Sequence, residues 1–206
     1  MPLNYIAIKK TFDFVFALIA LFLLSPLLAF LYVLVWLDLG RPVVFRQLRP
    51  GFRGRPFNLY KFRTMSNVVD LAGALLPDSR RITRLGSFLR STSLDELPAL
   101  VNILRGDLSF IGPRPLLMDY LSLYTQEQAR RHDVKPGFSG WAQINGRNAI
   151  SWEEKFRLDV WYVDQQSFWL DLRIFLLTIW KVIRREGISA AGEATMQPFI
   201  GTAVRE

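Results

Sequence analysis

FVFALIALFLLSPLLAFLYVLVWL, residues 14 to 37, is an apolar run of about 24 residues with a serine and a proline near its centre. At 1.5 Å per residue, a helix of that length reaches about 36 Å, enough to cross a hydrocarbon core of about 30 Å. The run exceeds a signal-peptide h-region and no small-x-small cleavage site follows it before Asp38, so it reads as a retained anchor. Ser25-Pro26 disturbs a straight span. Proline lacks a backbone donor and presses on the carbonyl of Phe22, while the Ser25 hydroxyl can bond a freed carbonyl in the turn before it. The flanks add a second constraint: Lys9 and Lys10 precede the run, and Arg41, Arg46, Arg49, Arg53 and Arg55 follow it. The positive-inside rule then asks for both ends in the cytoplasm. Each half, roughly 12 residues and about 18 Å long, can enter one leaflet and turn back. The expectation is a re-entrant helical hairpin broken at Ser25 and Pro26, with a proline-kinked single span as the alternative.

Composition agrees with an anchored protein. The chain has 206 residues, half of them hydrophobic, with a mean hydropathy of +0.17 that is high for a fully solvated protein. Its net charge of +8 suits an anionic membrane surface or a phosphorylated substrate. Nucleic acid has only that charge in its favour, because no reading motif is present. With no cysteine, thiol nucleophiles, disulfides and thiolate metal sites are excluded; with His132 alone, so is a multi-histidine metal site.

Beyond the anchor, VVFRQLRP and PFNLYKFRTM flank the turn-rich GFRGR and predict a β-hairpin over about residues 43 to 65. Lys61 and Arg63 on it read either as solvated edge-strand charges or as anion ligands beside the membrane. A short helix is expected around LAGALL, then two helical stretches interrupted at STS and ended by Arg105-Gly106. PRPLLMDYLSLYTQEQARRH predicts a further amphipathic helix, and KPGFSGWAQINGRN an irregular loop of the kind that binds ligands. FWLDLRIFLLTIWKVIRR, residues 168 to 185, is helical by pattern and fits either the core or an in-plane helix resting in the headgroup region. The fold class is therefore α+β and mostly helical. Residues 1–40 are expected to form the anchor, and residues 41–206 the domain that it carries.

RSTSLDELPAL, residues 90 to 100, sets Asp95 and Glu96 side by side. Ser93 and Glu96 match the S-x-x-E capping box, which explains the acids as an ordinary helix start. Pro98 is tolerated only near a helix start, so it too places the pair at an N-terminus. The same position suits chemistry: an ionised aspartate can attack phosphorus, and its neighbour can hold Mg²⁺ together with phosphate oxygens. Arg90, Arg114 and Arg147, each beside a turn or helix end, are candidate anion binders, and guanidinium matches phosphate geometry.

The Ser-Pro break, KFRTM, RSTSLDELPALVNILRGDLSFIGPRPLL and HDVKPGFSGWAQINGRNAISWEEKF, in this order, resemble the small monotopic bacterial phosphoglycosyl transferases, also called bacterial sugar transferases. The likeness runs from about Lys9 to Gly201. Within that family it is nearest in pattern to the enzymes that move N,N'-diacetylbacillosamine 1-phosphate. The resemblance implies transfer of a sugar 1-phosphate from a UDP-sugar to undecaprenyl phosphate, releasing UMP. It implies Asp95 as nucleophile, Glu96 as Mg²⁺ ligand, and phosphate contacts from Lys61, Arg90, Arg114 and Arg147 around a Pro113-Arg114-Pro115 turn. It further implies a re-entrant helix at Ser25 and Pro26, and an active site on the cytoplasmic face of the bacterial inner membrane. Inner-membrane lipids, a second copy of the chain and pathway glycosyltransferases are its expected partners; nucleic acid is not. The alternative is a non-catalytic membrane adaptor of a glycan-assembly complex, in which Asp95 would be dispensable.

Overall fold

The computed structural model describes residues 3–146, 150–184 and 198–201. Helix α1 (Leu3–Leu39) carries Ser25 and Pro26 inside it, so the residues expected to divide the run do not separate it into two helices. The local chemistry explains why. Pro26 cannot donate to the carbonyl of Phe22, and the Ser25 hydroxyl donates to that same oxygen at 2.8 Å. The proline therefore leaves no orphaned acceptor, as the serine beside it foretold.

One stripe of α1 is inside. Ala17, Ala20, Leu21 and Leu24 pack on Leu100, Ile103 and Leu108, and further along Leu31 and Val35 pack on Val43, Phe62 and Leu89. The opposite stripe is large, apolar and open: Phe22 is 79 % exposed, Leu23 68 % and Leu37 70 %. Such an outer face suits lipid, not water. α1 is the one helix among the described residues long and apolar enough to cross a membrane. Both of its ends are tied to the rest of the chain. Near the start, Tyr5 donates to Asp171 at 2.6 Å, Lys9 pairs with the same carboxylate, and Asp13 accepts from the Phe110 amide at 3.1 Å. At the far end Thr83 donates to Asp38 at 2.6 Å, and Arg63 caps the carbonyl of Leu39.

Strands β1 (Val44–Pro50) and β2 (Pro56–Phe62) form the expected antiparallel hairpin, closed by a 3₁₀ turn. The helix expected at LAGALL is instead a turn. Asp70 accepts from the amides of Ala72 and Ala74, both at 2.9 Å, and so takes donors that a helix would need. Helix α2 (Asp78–Arg81) follows, then α3 (Arg84–Ser91), capped by the Thr83 hydroxyl. A 3₁₀ turn over Leu94–Ala99 leads into α4 (Leu100–Arg105), which ends at left-handed Gly106 as expected.

Strand β3 (Ser109–Ile111) pairs in parallel with β4 (Gly137–Ser139), the latter arising inside the segment expected to be wholly irregular. The glycine there is required by space: a Cβ on Gly137 would meet the Gly112 amide nitrogen at 2.1 Å. Between these strands the expected amphipathic helix is divided into a 3₁₀ turn over Met118–Leu123, helix α5 (Gln126–Ala129) and a second 3₁₀ turn. The division falls at Thr125, whose side chain forms a capping box with Gln128 and starts a new helix. The short α6 (Trp141–Ile144), α7 (Trp152–Gln165) and α8 (Phe168–Arg184) complete the order. α8 is part core and part surface. Ile174 is fully buried, whereas Trp169 is 73 % and Trp180 50 % exposed, so one face seats the domain and the other continues the apolar outer surface.

Candidate active site

Asp95 and Glu96 sit in the 3₁₀ turn that opens toward α4, directly after Ser93, which adopts left-handed backbone angles (φ 58°). The capping box expected of Ser93 and Glu96 does not form. Ser93 makes no side-chain cap, and the Glu96 carboxylate turns away to two cations. Lys61 on β2 donates to Glu96 Oε1 at 2.6 Å, and Arg114 spans both carboxylate oxygens. Two charge-assisted bonds outweigh one backbone cap. Pro98 lies in the same 3₁₀ turn, where its missing donor is tolerated, as expected.

Each cation is delivered by a buried support. Asn102 on α4, fully buried, donates to the Asn58 carbonyl at 2.7 Å and accepts from the Tyr60 amide at 3.1 Å, which fixes β2 and with it Lys61. The Pro113-Arg114-Pro115 segment is held from behind. The Pro113 carbonyl accepts from the Gly137 amide at 2.9 Å, and the Arg114 carbonyl from Arg131 at 2.8 Å. Arg131 itself is buried in an ion pair with Asp159 at 2.7 Å. Arg90 on α3 donates to Thr64 at 3.0 Å and adds its positive charge to the field at Asp95. Arg147 lies outside the described residues.

The two neighbouring acids differ sharply in electrostatics. Burial, and then the Glu96 charge, push the Asp95 carboxyl up to about 6, against the opposing pull of Lys61, Arg114 and Arg90. For Glu96, burial works against the charged form, but Arg114 and Lys61 outweigh it and hold the carboxyl well below the usual range. Among the described residues none donates a hydrogen bond to the Asp95 carboxylate. The site thus holds one clamped carboxylate beside one that is charged at neutral pH and uncommitted.

Glu96 and Arg114 stand between two clefts. The first, about 310 Å³, contains Lys61, Glu96, Arg114 and Pro115, and is extended by Arg49, Lys155, Tyr120, Phe138 and Trp152. The second, about 330 Å³, shares Glu96, Arg114 and Phe138 and is lined on its far side by Ser93, Ser139, Gln143, Thr178 and Lys181. Arg49, Lys155, Tyr120, Trp152 and Thr178 were not singled out as site residues by sequence. Lys155 had a readable signal, because Trp152, Lys155 and Asp159 follow one another at helical spacing on one face of α7. Burial, partly opposed by Asp159, lowers the Lys155 ammonium to about 8. Arg49 offered none, since its place depends on the hairpin register.

Among the described residues no three histidine, aspartate or glutamate side chains converge. The Glu96 carboxylate fits a Mg²⁺ ion whose other ligands are water and substrate phosphate oxygens, which is its usual mode of binding. Glu96 Oε2 has capacity to spare, its one partner being Arg114 Nη1 at 3.4 Å.

The bacterial sugar transferase family profile matches residues 4–185. An uncharacterized sugar transferase of Bacillus subtilis, EpsL, is 56 % identical over 195 residues, 95 % of this chain and 96 % of that protein. The UDP-glucose:undecaprenyl-phosphate glucose-1-phosphate transferase of Escherichia coli is 38 % identical over 184 residues, covering 84 % of this chain and 40 % of its own length. The undecaprenyl-phosphate galactose phosphotransferase of Salmonella typhimurium is 38 % identical over 197 residues, 87 % of this chain and 41 % of that protein. This chain thus spans about two fifths of those two longer relatives. Glucose and galactose, not bacillosamine, stand in these relatives' names. The match along nearly the whole chain carries the conclusion that this protein belongs to the bacterial sugar transferase family.

Proposed function

We propose that this protein transfers a sugar 1-phosphate from a UDP-sugar to undecaprenyl phosphate in two steps. The observation that carries the reading is a cation-clamped Glu96 at the junction of two clefts, with Asp95, which accepts no hydrogen bond among the described residues, as its neighbour in the chain. In the first step an Asp95 carboxylate oxygen attacks the β-phosphorus. The bond from that phosphorus to the bridging oxygen breaks, and UMP leaves with the electron pair. In the second step an oxygen of undecaprenyl phosphate attacks the same phosphorus, releases Asp95 and gives the diphosphate-linked sugar. Lys61 and Arg114 are placed to exchange part of their hold on Glu96 for the diphosphate, and Arg90 favours the anionic form of Asp95. Mg²⁺, held by Glu96 and the substrate, would neutralise the diphosphate charge.

Contacts at the two ends of α1 support the membrane placement. A helix crossing the hydrocarbon separates its ends, yet here Tyr5 and Lys9 at one end and Asp38 at the other bond the same domain. A path on which the continuous α1 bends at Ser25-Pro26, keeping both ends and the clefts on the cytoplasmic face, accommodates these bonds and the basic flanks together. The outer faces of α1 and α8 then rest in lipid, where an acceptor with a polyprenyl tail and a soluble donor meet.

Two donor classes compete. The motif pattern favours UDP-N,N'-diacetylbacillosamine or another UDP-acetamido sugar, and the names of the relatives favour UDP-glucose and UDP-galactose. UMP release by purified protein with Mg²⁺ and undecaprenyl phosphate, across all of these donors, decides between them. Release from one donor that is lost in Asp95→Asn supports the reading; folded protein silent with every donor overturns it.

A further inference from the structure

We propose that Phe199, beyond the residues matched by the family profile, is a positioning residue for the nucleotide end of the donor. It holds the aromatic wall on which the uracil ring lies. This rests on the transferase reading above.

Phe199 is 4 % exposed. Its ring meets Tyr120 edge-on at 5.6 Å between centroids, Trp152 at 5.6 Å and Phe156 edge-on at 5.0 Å, and its amide donates to the Tyr120 hydroxyl at 3.1 Å. Tyr120 and Trp152 both line the first cleft, and they cross each other edge-on at 5.6 Å. Removing the Phe199 ring would free one side of both.

The chemistry along the clefts assigns this wall to the base. Lys61 and Arg114 fix the diphosphate at the junction. On one side of that junction lie Ser139, Thr178 and Gln143, whose amide nitrogen and oxygen are buried with no hydrogen-bond partner. Hydroxyl and amide groups of this kind suit a sugar. On the other side lie Tyr120 and Trp152, with the Lys155 ammonium 4.4 Å from the Trp152 ring centroid. Aromatic faces beside a cation suit a planar base carrying the α-phosphate. A lipid phosphate has no base, so the wall serves the donor and not the acceptor.

The test measures binding of uridine diphosphate to the full-length protein by calorimetry, together with the KM of donor and acceptor. Phe199→Ala is expected to weaken UDP about tenfold and to raise the donor KM by the same factor, leaving the undecaprenyl phosphate KM and kcat within about twofold. Phe199→Leu, which keeps apolar volume without the ring, is expected to fall between, and it decides by the same criteria if Phe199→Ala does not fold. UDP affinity within about twofold of the unmodified protein in the folded variants, or equal rises in both KM values, overturns the inference. The two readings fail separately. Transfer with unaltered UDP binding in the variants removes only this inference, whereas Phe199-dependent UDP binding without UMP release from any donor removes the transferase reading and leaves the nucleotide site.

Discussion

Arg131–Asp159 and Arg114–Glu96 are both guanidinium–carboxylate pairs, and they meet at one peptide group, because Arg131 also donates to the Arg114 carbonyl. Their surroundings separate them. The side chains of the first pair are 1 % and 2 % exposed, whereas Arg114 is 40 % and Glu96 15 % exposed, at the junction of two clefts. The nearly inaccessible pair, tied also to the Arg114 carbonyl, acts as a brace. An open pair can yield its cations to an incoming phosphate, so it acts as a receptor. Asp95, next to the open pair and bonded to neither cation, can then do chemistry while Glu96 holds charge in place.

The largest expected effect tests that division directly. Asp95→Asn should lower UMP release by at least about 10³-fold while leaving the fold intact, since an amide is no nucleophile toward phosphorus. Circular dichroism and a release assay check both halves of the statement. Arg131→Met strikes the brace instead. It leaves Asp159 charged and buried, and should destabilise the protein by about 3–5 kcal/mol in thermal or denaturant unfolding. A loss of activity from Arg131→Met without a loss of stability would mean that the two pairs had been given the wrong roles. Glu96→Gln should lie between, with release reduced about 10²-fold, because one electrostatic contribution of this kind is worth about 3 kcal/mol.

The pH dependence gives the smallest and most particular signal. The folded-state pKa of Asp95 is raised from an ordinary 3.8 to about 6, so the folded state binds the proton more tightly than the unfolded chain does. The resulting stabilisation is complete below about pH 3.8 and is lost as pH rises through about 6. Asp95→Asn should therefore gain about 2–3 kcal/mol relative to the unmodified protein at pH 8, and the gain should vanish near pH 4. Activity should run the other way, with UMP release rising through pH 6 as Asp95 ionises.

Much of this was legible in the chain because its determinants are local. The apolar run of α1, the hairpin around GFRGR, the Gly106 stop and the adjacent acids each depend on residues a few positions apart. The Ser25 hydroxyl was legible as a donor to the turn before it, and that bond lets one helix continue through Pro26. The failures have a common cause. LAGALL is a turn because the Asp70 carboxylate claims two amides, and the capping box is absent because Lys61 and Arg114 claim Glu96. In each case a side-chain partner overrode a pattern that read correctly by spacing. Arg49, Tyr120 and Trp152 reach the first cleft through tertiary packing alone, and Phe199 joins them from about 47 residues beyond Trp152. No short-range periodicity reports such a contact.

The central claim is that Asp95 carries the sugar phosphate between the two substrates. Its most direct test is the intact mass of the protein after incubation with the accepted UDP-sugar and Mg²⁺ but without undecaprenyl phosphate. The expected result is one added sugar phosphate per chain with one equivalent of UMP released, an adduct that undecaprenyl phosphate removes and that Asp95→Asn never forms. UMP release that requires undecaprenyl phosphate from the outset, with no change in mass, would mean direct transfer and would contradict the account.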